Sequence, residues 1–158
     1  MKEPTLEIFL KIKTLLDENH MEYELSEHEA TITSDDAARI RGVDLSTGAK
    51  SMILKSKSKF IQTVLPGNKR INYKILKNHL GLKDLSLASE DQVYELTGLI
   101  KGSVPPFGKM LGFDTYVDPG LLENEWINFN AGSVSISIKM RSHEWFELTK
   151  PEILNFAE

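Results

Sequence analysis

Two stretches of this 158-residue sequence bring together residue types that do chemistry. In "TGAKSMIL", Lys50 follows Gly48 and Ala49 and opens an apolar, strand-like run. A lysine at a sheet edge beside small residues can reach into a pocket with its ammonium; the alternative is an ordinary surface lysine. In "KGSVPPFG", residues 101–108, Pro105 and Pro106 fix φ near about −65° and donate no backbone hydrogen bond, while Gly102 and Gly108 permit angles that side chains forbid. That backbone is pre-shaped and partly bare, either to serve a site or to make a tight turn between two elements.

Other site types fail on spacing. "TGAKS" echoes the end of a phosphate-binding loop, but Ala49 separates Gly48 from Lys50, and Val43 stands where the first glycine is required. His20, His28, His79 and His143 have no histidine partner at i+4, and there is no cysteine, so no metal site is expected. No G-x-S-x-G elbow occurs, and Ser133 and Ser135 alternate as strand hydroxyls. Nothing announces a conventional hydrolase, and no cofactor is implied.

The formal net charge is −4, yet residues 50–83 contain no acid and hold nine of the nineteen basic residues: Lys50, Lys55, Lys57, Lys59, Lys69, Arg70, Lys74, Lys77 and Lys83. The chain is therefore polarised. Its basic pole either meets the phosphates of a polyanion, which the acidic remainder repels, or is a solvated face.

Around these residues, 41% hydrophobic and 27% charged residues fit a globular chain, and the length suits a single domain over residues 1–158. The first twenty residues carry Leu6, Phe9, Leu10, Ile12, Leu15 and Leu16 on one stripe, an amphipathic helix and not a membrane span. "MEYELSEHE" alternates as a strand, and Thr33 or Ser34 caps a helix closed by Gly42. Residues 51–54 and 60–65 form a hairpin, "NYKILKNHLG" and "SEDQVYELTG" two short helices, and "GFDTYVD", "EWINFNAG" and "SVSISIKM" three strands. "SHEWFELTKPEILNF" reads as a helical tail whose last turn begins at Pro151. The expected fold is a mixed α/β (α+β) domain with a curved or barrel-like mixed β-sheet flanked by helices, in a cytoplasmic protein, with a monomer favoured.

The order of "SEHEATITSDDAARIRG", "TGAKSMIL", "VLPGNKRINYKILKNHLGLKDLSLASEDQVYELTGLIKGSVPPFG", "YVD" and "NFNAGS" resembles the YbaK/ProX family of aminoacyl-tRNA editing domains over roughly residues 20–140. The lysine after Gly-Ala and the G-x-x-x-P element carry most of the likeness. The resemblance implies hydrolysis of the ester of mischarged tRNA, and the chain is similar to the family's free-standing, trans-acting form. It implies that Lys50 is the functional lysine near the ester at the acceptor end, and that Gly102, Ser103, Val104, Pro105 and Pro106 shape the aminoacyl pocket. Exposed amides there, such as those of Gly102 and Ser103, would stabilise an oxyanion.

His28, Asp118, Asn130, Gly132 and Ser133 fall in segments that the family places around its pocket. Each also has a simpler reading: a strand-end residue at His28, a turn at Asp118, a hairpin turn at residues 130–133. Lys55, Lys57, Lys59, Lys69 and Arg70 are the expected tRNA contacts, with a synthetase or elongation factor as a further partner. The competing reading is a non-catalytic tRNA- or synthetase-binding module that retains the fold.

Overall fold

The computed structural model describes residues 6–31 and 33–158, so the first five residues of the expected N-terminal helix lie outside it. Helix α1 (Glu7–Glu18) buries Ile8, Phe9, Ile12 and Leu16 one or two turns apart, while Leu6 and Leu10, assigned to the same stripe from the sequence, stand exposed. Strand β1 (Tyr23–Glu27) follows. In α2 (Ser34–Arg41) the Thr33 side chain accepts from the Asp36 amide, and Gly42 closes the helix at φ 67°.

A 3-10 turn at Leu45–Thr47 leads into the hairpin of β2 (Ala49–Lys55) and β3 (Phe60–Pro66), paired in register from Ala49 with Pro66 to Lys55 with Phe60. Helix α3 (Tyr73–Leu80), strand β4 (Ser86–Leu87) and helix α4 (Glu90–Thr97) come next, α4 opened by a reciprocal Ser89 and Gln92 capping box. After the Pro/Gly segment come α5 (Gly108–Leu111), β5 (Asp114–Val117), α6 (Pro119–Leu122), β6 (Trp126–Ser133), β7 (Ile136–Arg141), α7 (Ser142–Thr149) and β8 (Glu152–Ile153).

The strands form two sheets, ordered β1-β7-β6 and β4-β2-β3-β5-β8, and not one closed barrel. The first is antiparallel; the second is mixed, because β3, β5 and β8 run parallel. The main core lies between them. Ala49, Val64 and Val117 face Ile127, Phe129 and Ile138, closed by α1 and by the fully buried Trp145 of α7. The other face of the five-stranded sheet packs Leu54, Ile61, Leu65 and Tyr116 against Leu76 of α3 and Phe156. Both faces of β2 and β3 are thus covered, which explains why their sequence reads as nearly continuous apolar runs.

Two expectations need correction. The tail is helical only to Thr149: Lys150 adopts φ 45° and Pro151 cannot continue the helix, so residues 152–153 instead add a strand beside β5. Residues 130–133 are not the hairpin turn. They belong to β6, where a bulge with Gly132 at φ 83° brings the strand within 3.2 Å of Phe9 N on α1, measured from the position a Cβ would take.

Candidate functional site

The N-terminal half of β2 borders a cavity of about 530 Å³, a volume suited to a small ligand or to the end of a larger one. Thr33, Ser34 and Ala37 from the start of α2 close one side, Ala88 and Val93 from the β4–α4 region another, Asn128 and Asn130 of β6 a third, and Lys101, Gly102 and Val104 a fourth. Lys50 and Ser51 both line it.

Successive side chains on β2 leave opposite faces of the sheet. Ser51 turns toward the Pro/Gly loop, where its Oγ accepts from Gln62 Nε2 at 2.5 Å and lies 3.5 Å from Pro105 O. Lys50 leaves with Met52 and ends at a corner made by the β3–α3 connection. Its Nζ donates to Lys69 O at 2.6 Å. Burial, and then the nearby Arg70 guanidinium, hold the Lys50 ammonium below the ordinary lysine range, while Asp35 pulls the other way. Among the described residues, no hydrogen bond joins Lys50 to the loop at 101–106. The two border one cavity from different sides.

The loop itself is tied down carbonyl by carbonyl. Gly102 O accepts from Asn130 Nδ2 at 2.7 Å, Ser103 O from the Gly132 amide at 3.0 Å, Pro105 O from Gln62 Nε2 at 2.8 Å and Pro106 O from Trp145 Nε1 at 2.9 Å. The peptides of the loop are trans, so each N–H points away from the carbonyl that precedes it. Holding Ser103 O against β6 therefore turns the Val104 amide away from β6. Val104 lines the cavity, and its amide has no acceptor among the described residues. The same holds for the Gly102 amide, but the Ser103 amide is used within the loop, donating to Ile100 O at 3.1 Å. Of the two amides named from the sequence as oxyanion donors, that of Ser103 is thus occupied, while that of Gly102, like that of Val104, has no acceptor among the described residues.

The remaining residues divide. Asn130 lines the cavity and also bonds the buried Thr31 through its Nδ2 at 3.1 Å. His28 stands one step behind it: His28 Nε2 meets Ser137 Oγ at 2.6 Å, and Ser137 Oγ donates to Asn130 Oδ1 at 3.3 Å. Asp118 lies off the cavity, wholly buried, accepting from Gly120 N, Ala157 N and Lys69 Nζ. It anchors Lys69, whose carbonyl holds Lys50. Ser103, Pro105 and Pro106 are buried behind the loop surface, Gly132 supplies an amide to Ser103, and Ser133 Oγ accepts from Ser135 N in the turn that follows.

The basic residues fall into two groups. Lys69 and Arg70 sit beside Lys50. Lys55, Lys57 and Lys59 lie at the other end of the hairpin, about 17 Å away for five strand residues at ~3.3 Å each. Lys59 lies 3.9 Å from Asp114 and Lys69 3.4 Å from Asp118. Gln62, Ser51, Thr31 and Trp145 were not singled out from the sequence. Only Gln62 carries a local signal, a long polar side chain within the apolar run of β3. No group of His, Asp or Glu side chains suited to a metal ion occurs among the described residues, nor does any helix long and apolar enough to cross a membrane.

A family described as the aminoacyl-tRNA editing domain matches residues 28–148, and this chain belongs to it. Over 151 residues the chain is 30% identical to the multifunctional Ser/Thr-tRNA deacylase ProXp-y of Escherichia coli (strain K12), a match covering 92% of this chain and 90% of that protein. It is 30% identical over 118 residues to the proline tRNA ligase of Caldicellulosiruptor bescii, where the match covers 75% of this chain and 20% of that enzyme. A crystal structure that carries the name of a trans-editing enzyme for prolyl tRNA synthetase shares the fold, with a TM-score of 0.83 at 22% identity, over 96% of this chain and 98% of the other.

Proposed function

We propose that the chain is a trans-acting aminoacyl-tRNA deacylase, one editing domain over residues 1–158, that hydrolyses the ester of mischarged tRNA in the cytoplasm. The observation that carries this reading is the cavity bordered by Lys50 on one side and by Gly102 and Val104 of the clamped loop on another. The near full-length likeness to a deacylase supports the trans-acting form.

An aminoacyl ester is already activated, so the chain needs to position and polarise it without supplying a nucleophile. The Lys50 ammonium, with Arg70 beside it, holds the anionic acceptor end of the tRNA. The aminoacyl group enters between Ser51, Val93 and the loop, and its carbonyl oxygen faces the Val104 amide. Water, positioned in the cavity, adds to the carbonyl carbon. The amide stabilises the charge that develops on the carbonyl oxygen. The ester C–O bond then breaks, the terminal ribose leaves as a hydroxyl with one proton of the water, and the amino acid departs as the free acid. Lys55, Lys57, Lys59 and Lys69 extend the contact along the tRNA backbone, and a synthetase or elongation factor delivers the substrate.

Purified protein incubated with tRNAs carrying alanine, cysteine, serine, threonine or proline tests this. Release of at least one amino acid well above the rate in buffer is expected. Release at the buffer rate from every one, by protein that still binds tRNA, would establish a binding module instead.

A further inference from the structure

Gln62 is wholly buried in the middle of β3 and contributes nothing to the surface of the cavity, yet every polar atom of its carboxamide is used. Nε2 donates to Pro105 O at 2.8 Å and to Ser51 Oγ at 2.5 Å, and Oε1 accepts from Thr115 Oγ1 at 3.2 Å. Pro105 O can only accept, which fixes which end of the carboxamide faces the loop. The packing is close: a methyl group on Gly108 would fall 1.7 Å from Thr115 Oγ1 and 2.6 Å from Gln62 Oε1. The three strands β2, β3 and β5 thus meet the loop through one side chain.

The place where that side chain holds the loop matters. Val104 lies between two restrained carbonyls, Ser103 O tied to Gly132 N and Pro105 O tied to Gln62. Without Gln62, the second restraint is reduced to the Phe107 amide, which belongs to the loop itself at 2.8 Å from Pro105 O, and to the distant Ser51 hydroxyl. We infer that Gln62 is a positioning residue for the deacylation proposed above, aiming the Val104 amide at the reacting carbonyl by holding Pro105 O in place.

An amide that meets charge only as it develops acts on the transition state and not on the bound ester. Loss of Gln62 should therefore lower the rate of the bound complex while leaving tRNA affinity nearly unchanged. Q62M keeps the volume and removes both donors. Q62E offers one donor, and only when protonated. None of the partners of Gln62 on β2, β5 or the loop titrates, and burial raises the pKa of an introduced carboxyl. In Q62E the protonated acid restores the bond to Pro105 O, whereas the ionised carboxylate repels that carbonyl.

The experiment is single-turnover deacylation of the mischarged tRNA that wild type cleaves best, with wild type, Q62M and Q62E, between about pH 5 and about pH 7.5, at a temperature where circular dichroism shows all three folded. Q62M should be slower by about 10- to 100-fold with tRNA affinity within about 2-fold of wild type. The rate of Q62E relative to wild type should fall as pH rises, a dependence that a purely structural role would not produce. Where Q62M fails to fold, the pH profile of Q62E decides. A folded Q62M with the wild-type rate, a loss confined to affinity, or a flat Q62E ratio would overturn the inference. Absence of cleavage by wild type would instead overturn the deacylase reading and this inference with it.

Discussion

Along the loop, the carbonyls of Gly102, Ser103, Pro105 and Pro106 are taken by donors from β6, β3 and α7, whereas the Lys50 ammonium on the other side of the cavity has, among the described residues, one hydrogen-bond acceptor, Lys69 O, and otherwise answers to the charges of Arg70 and Asp35. One border is built from shape, the other from charge. Neutral hydrogen bonds, those to Pro105 O and Pro106 O buried, make a surface that salt and moderate pH leave alone. A half-buried ammonium beside a guanidinium is disfavoured by burial and repulsion, a penalty that a polyanion entering the cavity would relieve.

The largest stability effect is expected on the shaped side. Gly108→Ala places a methyl group against Thr115 Oγ1 and Gln62 Oε1, so either the loop moves or the buried network breaks. Overpacking of this kind costs about 1–3 kcal/mol. Thermal melting should show a drop of several degrees together with loss of deacylation; an unchanged melting temperature would mean that the loop is less firmly held than its hydrogen bonds imply.

On the charged side stability should behave in the opposite way. The folded state binds the Lys50 proton less tightly than the unfolded chain, so a charged Lys50 opposes folding below its lowered pKa, and this penalty disappears as pH rises toward 10.5. Lys50→Met should thus melt at or slightly above wild type near neutral pH, and the advantage should shrink as pH rises. An advantage that grows with pH would reverse the assigned sign.

The smallest effects concern the tRNA contacts and separate the two ends of the hairpin. Arg70→Ala should lower both tRNA affinity and the single-turnover rate, because Arg70 stands beside Lys50. Replacing Lys55, Lys57 and Lys59 together should weaken binding and flatten its salt dependence by somewhat under one unit of slope for each phosphate left without its lysine, while sparing the rate. Binding measured across a salt series distinguishes them, and equal rate losses from both would erase the distinction between the two ends.

Much of this was legible where the physics is local. The caps of α2 and α4, the left-handed glycines at 42, 81 and 98, and the β2–β3 hairpin depend on residues a few positions apart. Alternation marks β6 and β7 as strands, but nothing local in it announces that they join β1 in a sheet of their own. The short β8 has no period to detect, and nothing in the sequence around Lys150 signals the φ of 45° that ends α7.

At the site, Lys50 and the Pro/Gly loop stood out by residue type and order. The groups that aim the loop did not. Gln62 meets Pro105 across 43 residues, and Asn130 meets Thr31 across 99, so nothing in the local sequence of either announces its partner. His28 and Asp118 were placed around the pocket by family position; tertiary hydrogen bonding puts both one step behind it.

Whether the cavity between Lys50 and the clamped loop cleaves the aminoacyl ester is decided by single-turnover release of amino acid from mischarged tRNA by wild type and Lys50→Ala, paired with their melting curves. Wild type should release amino acid far faster than buffer, and Lys50→Ala should melt close to wild type while losing most of that rate. A folded Lys50→Ala that cleaves as fast as wild type would contradict the account.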